Sequence, residues 1–119
     1  MNLDFNYQIQ DDLVFFKLIG KIMSKEDAIN LLEEVDQNTL DNKANIILNL
    51  SKITHINSSG LNALINILTK SRNAGGDTVI CNVNEKISKL FLITKLNTLF
   101  TIAEDESAAR KLFSEKLNI

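Results

Sequence analysis

The sequence predicts an α/β fold: a small mixed, mostly parallel sheet flanked by about four helices and entered through an N-terminal hairpin. Three observations predict it. Helix-like and strand-like hydrophobic patterns alternate along most of the chain. The segment Ala44-Asn45-Ile46-Ile47-Leu48-Asn49-Leu50 has the short β-rich apolar run of a strand buried on both faces. No linker, repeat or low-complexity tract interrupts the 119 residues, a length that suits one domain spanning 1–119.

The elements follow in order. Phe5, Tyr7 and Ile9 alternate with polar residues, Asp11-Asp12 breaks the pattern, and an apolar run from Leu13 to Ile19 ends at Gly20, which reads as a hairpin. Ser24-Lys25-Glu26-Asp27 matches a capping box, and Ala28, Leu31, Leu32 and Val35 repeat at i, i+3, i+4 and i+7, so a first helix is expected over 25–38. A polar link, 39–43, leads to the buried strand. After it, Leu61, Leu64, Ile65 and Leu68 mark a second helix starting near Ser59 and closed by Asn73-Ala74-Gly75-Gly76. Residues 78–83 form another strand-like run, and Asn84 can cap a third helix whose inner face is Ile87, Leu90, Phe91 and Thr94. A last short strand over 99–102 and a terminal helix from near Asp105, burying Ala109, Leu112, Phe113 and Leu117, complete the prediction.

Composition excludes several function classes. The formal charge is −2, with Lys and Arg scattered rather than clustered, so no attraction to nucleic acid or to an anionic membrane is expected. The start Met1-Asn2-Leu3-Asp4 has no basic or apolar leader, and no stretch approaches the roughly 20 apolar residues that cross a bilayer. One cysteine, Cys81, and one histidine, His55, supply neither an internal disulfide nor a zinc site of the usual kind. A cytoplasmic protein without metal or other cofactor is expected.

The enzyme readings are weak. Ile56-Asn57-Ser58-Ser59-Gly60 lacks the first glycine of a nucleophile elbow, and His55 lies three residues before Ser58, whereas triad partners normally come from distant parts of a fold. Cys81, in mid-strand, reads as an inert buried thiol. Gly75-Gly76-Asp77 follows a helix, where a phosphate loop would precede one. Glu104, Asp105 and Glu106 suit a helix start by charge alone. A receiver-type phosphoacceptor fails because the strand ends offer Asn49 and Asn57 in place of aspartates. No catalytic residue is assigned. What remains is the joint Thr54-His55-Ile56-Asn57-Ser58-Ser59-Gly60-Leu61, where Asn57, Ser58 or Ser59 can each cap the second helix, and capping requires only one of them.

The stretch Asn49-Leu50-Ser51-Lys52-Ile53-Thr54-His55-Ile56-Asn57-Ser58-Ser59-Gly60-Leu61 resembles the signature of the STAS domain of bacterial anti-sigma factor antagonists, usually Asp-Leu-Ser followed by Asp-Ser-Ser/Thr-Gly-Leu. The likeness extends to Leu18-Ile19-Gly20-Lys21-Ile22, to Gly75-Gly76-Asp77-Thr78-Val79-Ile80-Cys81 and to Leu90-Phe91-Leu92-Ile93-Thr94-Lys95-Leu96, in the family's order. The resemblance implies regulated protein binding and no enzyme activity. The unphosphorylated protein would bind an anti-sigma factor that is also a serine kinase; phosphorylation, mapping onto Ser58, would release it, and a metal-dependent serine phosphatase would reset it. The partner-binding residues implied are Gly20, Met23, Ser24, Asn57, Ser58, Ser59, Gly60 and Leu61, with Ser59 as the better cap and Gly60 as an opening that admits a partner to the backbone. The alternative is a constitutive STAS scaffold or transporter-associated subunit that never sees phosphate. Three positions depart from the family: Asn49 and Asn57 stand where relatives carry acids, and the turn Gly20-Lys21-Ile22-Met23-Ser24 lacks the carboxylate that many relatives have there.

Overall fold

The structure, a computed structural model, describes residues 2–117, with side chains as far as Glu115. The chain opens on the expected hairpin. Strand β1 (Leu3–Gln10) pairs antiparallel with β2 (Leu13–Ile22) through a two-residue turn, and Asp11 (φ 52°) and Asp12 (φ 68°) both take the left-handed conformation that a tight hairpin of this hand requires. Phe5 and Tyr7 bring their rings 5.9 and 5.2 Å from that of Phe16, fixing the ribbon's inner face.

One helix and then three strand–helix pairs follow. A 3₁₀ turn at Glu26–Ala28 runs into α1 (Ile29–Leu40), then come β3 (Asn45–Ile56), α2 (Ser58–Asn73), β4 (Asp77–Cys81), α3 (Glu85–Ile93), a 3₁₀ turn at Leu96–Thr98, β5 (Thr101–Ala103) and α4 (Glu106–Leu117). The sheet order is β1-β2-β3-β4-β5, with every pair after the hairpin parallel. Each crossover advances the chain one strand in the same direction. With one handedness, this puts α1, α2 and α3 on one face, and their apolar residues form one core with Ile46, Leu48 and Leu50 of β3. The terminal helix closes the other face, where Ala109 and Phe113 pack with Ile47, Val79 and Cys81. Residues 46–50 are therefore buried from both sides, as the sequence predicts.

Asn49 is the polar member of that run. It points to the α4 face, is 7% exposed, donates from Nδ2 to Glu106 Oε2 at 2.6 Å and accepts from Ser51 N at 2.9 Å. An aspartate there would oppose a carboxylate across a half-buried contact. The amide thus answers Glu106, and this relation explains one of the neutral departures noted in the sequence.

Several boundaries move. The first turn of the first helix is 3₁₀, and α1 runs two residues beyond the expected Asn38. Strands β4 and β5 occupy Asp77–Cys81 and Thr101–Ala103 in place of 78–83 and 99–102, since Asn82 turns out of the strand at φ 56° and Leu96–Thr98 coils first. Thr94 is exposed and off the core: its hydroxyl donates to Leu90 O at 2.8 Å at the end of α3. Asp105 caps α4 through a 2.8 Å bond from Ala108 N. Leu117, expected on the buried face of α4, has a side chain outside those described. Among the described residues no helix is long and apolar enough to cross a membrane, and no group of three His, Cys, Asp or Glu residues converges on a metal position.

Burial, reinforced by the charges of Glu106 and Asp105, pushes the Cys81 thiol up to about 12. The native protein should resist a thiol-specific disulfide reagent at pH 8 and react only after unfolding. Because the folded thiol keeps its proton while the unfolded one loses it above its ordinary value of 9.0, its contribution is intact below pH 9 and falls by roughly 1.4 kcal/mol per unit as pH rises toward 12. Urea titrations at pH 8.5 and 10.5 should show a steeper loss in wild type than in Cys81→Ala.

Candidate functional site

Parallel pairing brings the C-terminal ends of β2, β3 and β4 to one rim of the sheet, where the helix N-termini also start. The joint predicted to be functional lies there. β3 does not stop at Leu50 but continues to Ile56, so Thr54, His55 and Ile56, read from sequence as the joint's first residues, belong to a strand. Between the pairs Lys17↔Asn49 and Lys21↔His55 there are two register shifts, and β3 advances two residues more than β2. Thr54 Oγ1 donates to Gly20 O at 3.2 Å across this irregular stretch, and Gly20 itself sits at φ 106°.

Asn57 ends β3's path and begins α2. Its Oδ1 accepts from Gly60 N at 3.1 Å, making it the cap of α2; Ser59 does not fill that role. The same side chain donates from Nδ2 to Met23 O at 2.7 Å. Its backbone N donates to Ile22 O at 3.4 Å, and its carbonyl accepts from Leu61 N at 2.9 Å. All four polar groups of the residue are thus engaged with segments on both sides of the rim.

The turn after β2 is held equally closely. Ser24 Oγ accepts from Asp27 N at 3.2 Å, and Asp27 Oδ2 accepts from Met23 N at 2.9 Å, a capping box closed one residue before the position that the sequence pattern implies. Met23 is 39% exposed. On the other flank Asn84 repeats the arrangement of Asn57: Oδ1 caps α3 through Ile87 N at 2.9 Å, and Nδ2 donates to Ile53 O at 3.2 Å.

With Asn57 as the cap, both serines are freed. Ser58 and Ser59 are exposed, and among the described residues neither hydroxyl has a hydrogen-bond partner. Ser59 borders a cleft of about 330 Å³ between α1 and α2, lined by Lys25, Leu32, Asn62 and Asn66 over a floor of Ala28 and Ala63. His55 is exposed, and its Nδ1 lies 3.0 Å from Thr54 Oγ1, a partner other than Ser58. No acid occupies the first turn of α2, while Lys70 and Arg72 stand in its last turn.

Gly60 and Leu61 face inward. A Cβ on Gly60 would fall 2.3 Å from Ile22 O and 2.6 Å from Ile56 Cγ1, so the glycine lets α2 seat against the end of β2 and does not form the expected opening toward a partner. Leu61 is 5% exposed and belongs to the core. The structure therefore groups Gly20, Met23, Ser24, Asn57, Ser58 and Ser59 at one rim, with Gly60 and Leu61 beneath it.

Comparison with known proteins fits this geometry. Residues 4–109 match the family model of the STAS domain. A Thermotoga maritima protein with the name "Putative anti-sigma factor antagonist" is 30% identical over 106 residues, covering 88% of this chain and 93% of its own. The crystal structure of a Thermotoga maritima antagonist of the same description superposes with a TM-score of 0.78 at 28% identity, over 90% of this chain and 92% of that one. The fold is also that of the Bacillus cell fate determinant SpoIIAA in its phosphorylated form, with a TM-score of 0.71 at 17% identity over 92% and 99% of the two chains.

Gly60→Ala separates packing from backbone preference. Alanine improves helix propensity by about 1 kcal/mol, yet its methyl would meet a backbone carbonyl that has no room to move, and overpacking of this kind typically costs about 1–3 kcal/mol or more. The variant should lose at least about 1 kcal/mol, read as a lower urea midpoint at unchanged m-value.

Proposed function

Because the chain belongs to the STAS domain family, we propose that it is an anti-sigma factor antagonist switched by phosphorylation of Ser58: unphosphorylated, it binds an anti-sigma factor with serine kinase activity; phosphorylated, it lets go. A metal-dependent serine phosphatase resets it, and the cycle runs in the cytoplasm without the domain itself catalysing a reaction. The observation that supports this reading best is the state of Ser58. It is exposed, free of any partner among the described residues, and placed at the first residue of a helix capped by its neighbour.

The chemistry favours a switch that leaves the fold intact. Phosphorylation adds about −1.5 to −2 charge at pH 7. The N-terminus of α2, with no acid in its first turn, accommodates an anion through its dipole and unpaired N–H groups. A partner packed over Ser58 meets a different balance, since burying an unmatched charge in an interface costs about 2–5 kcal/mol or more. That is roughly a 30- to several-thousand-fold loss of affinity, enough for one modification to decide between bound and free.

Incubation with a cognate anti-sigma serine kinase and ATP should place one phosphate on Ser58 by mass spectrometry, and none in Ser58→Ala. Ser58→Asp should keep the wild-type melting temperature within a few degrees and weaken kinase binding at least 30-fold. Binding indifferent to both Ser58→Ala and Ser58→Asp would sink the switch in favour of a constitutive scaffold.

A further inference from the structure

We infer that Asn57 is a positioning residue whose side-chain amide locks the Met23–Ser24 turn to the Ser58 turn, so that the exposed Met23 side chain and the phosphoacceptor meet a partner as one preformed surface. The role of that surface rests on the reading of Ser58 given above; the lock itself stands on geometry alone.

Residues 22–24 and 57–60 are far apart in sequence, and three contacts join them. Asn57 Nδ2 donates to Met23 O at 2.7 Å, Asn57 N donates to Ile22 O at 3.4 Å, and Gly60 comes so close to Ile22 O that a Cβ on it would collide. Only the first reaches past the end of β2 into the turn, and it is the shortest. On its other side the turn is held by Asp27, which accepts from Met23 N at 2.9 Å. The peptide groups flanking Met23 are thus pinned from both directions, leaving its side chain as the exposed part. A binding loop held in one arrangement before contact avoids the ordering cost that a loose loop incurs on association.

The lock demands an amide. Capping α2 requires an acceptor, and binding Met23 O requires a donor, from one short side chain. Asparagine has both on one planar group. An ionised aspartate can cap through one oxygen, but it would set the second against a carbonyl at hydrogen-bond distance, acceptor facing acceptor. Serine can cap yet has no second group to reach Met23. Asn57→Asp and Asn57→Ser therefore both remove the donor and keep the cap, one with a charge and one without.

Amide hydrogen exchange on the isolated, unphosphorylated protein reads the lock without any partner. In both variants exchange at Met23 and at the following turn through Ala28 should rise about tenfold or more, with the amides of α2 after Leu61 unchanged. Acceleration in Asn57→Asp alone would assign the effect to charge, and unchanged exchange in both would dispense with the lock; either result overturns the inference. With the anti-sigma kinase used for the Ser58 experiment, both variants should bind about tenfold more weakly while Ser58→Asp keeps its own larger effect. Wild-type affinity in both variants, alongside a strong Ser58→Asp effect, would overturn the role of Asn57 and leave the phospho-switch standing.

Discussion

One asparagine bridges the segments that make up the site. In a parallel sheet the strand ends and the first turns of the following helices collect at the same rim, so carbonyls without a ladder partner and N–H groups without a helical one lie close together. A residue carrying an acceptor and a donor on one rigid group can satisfy both at once. Asn57 does so between β2 and α2, and Asn84 does so between β3 and α3. The rim is thereby stitched twice in succession with the same chemical piece, and the serines beside the first stitch are relieved of structural duty.

Neutrality is the common thread of the positions where this chain departs from its family's usual acids. Asn49 faces Glu106, and Asn57 faces the carbonyl of Met23; at both places a carboxylate would meet another electron-rich oxygen. With Asn57 neutral and no acid in the first turn, the N-terminus of α2 carries an uncompensated partial positive charge. In the proposed switch, a phosphate on Ser58 would be the first full negative charge within the first turn of α2. The carboxylate that many relatives hold in the turn after the second strand is absent, but Asp27 reaches back to the same turn through Met23 N.

Most of the architecture was legible because burial imposes periodicity. The two-sided burial of residues 46–50 and the apolar stripes of α2 and α4 are direct imprints of it. The extension of β3 was not legible: Ser51, Lys52, Thr54 and His55 are exposed, and a strand that leaves the two-sided core loses the apolar signature that announces it. The cap of α2 was ambiguous because three consecutive residues have the right chemistry, and only backbone direction selects Asn57. The donor half of that side chain left no trace in the local pattern, since its target lies 34 residues earlier. Gly60 was legible as a special position but misread in direction, because a glycine required for approach looks the same whether the approaching group is a partner or the chain's own second strand.

The hairpin turn at Asp11 and Asp12 sits at the start of β2, whereas the site forms where β2 ends, so the two lie at opposite poles of the sheet. Under the proposed reading a partner docks at one pole and leaves the other untouched. Exposed loop tips of this kind tolerate insertion and sequence change far better than the elements they connect. The turn at Asp11 and Asp12 can therefore be lengthened or carry an added peptide without disturbing the asparagine-stitched rim.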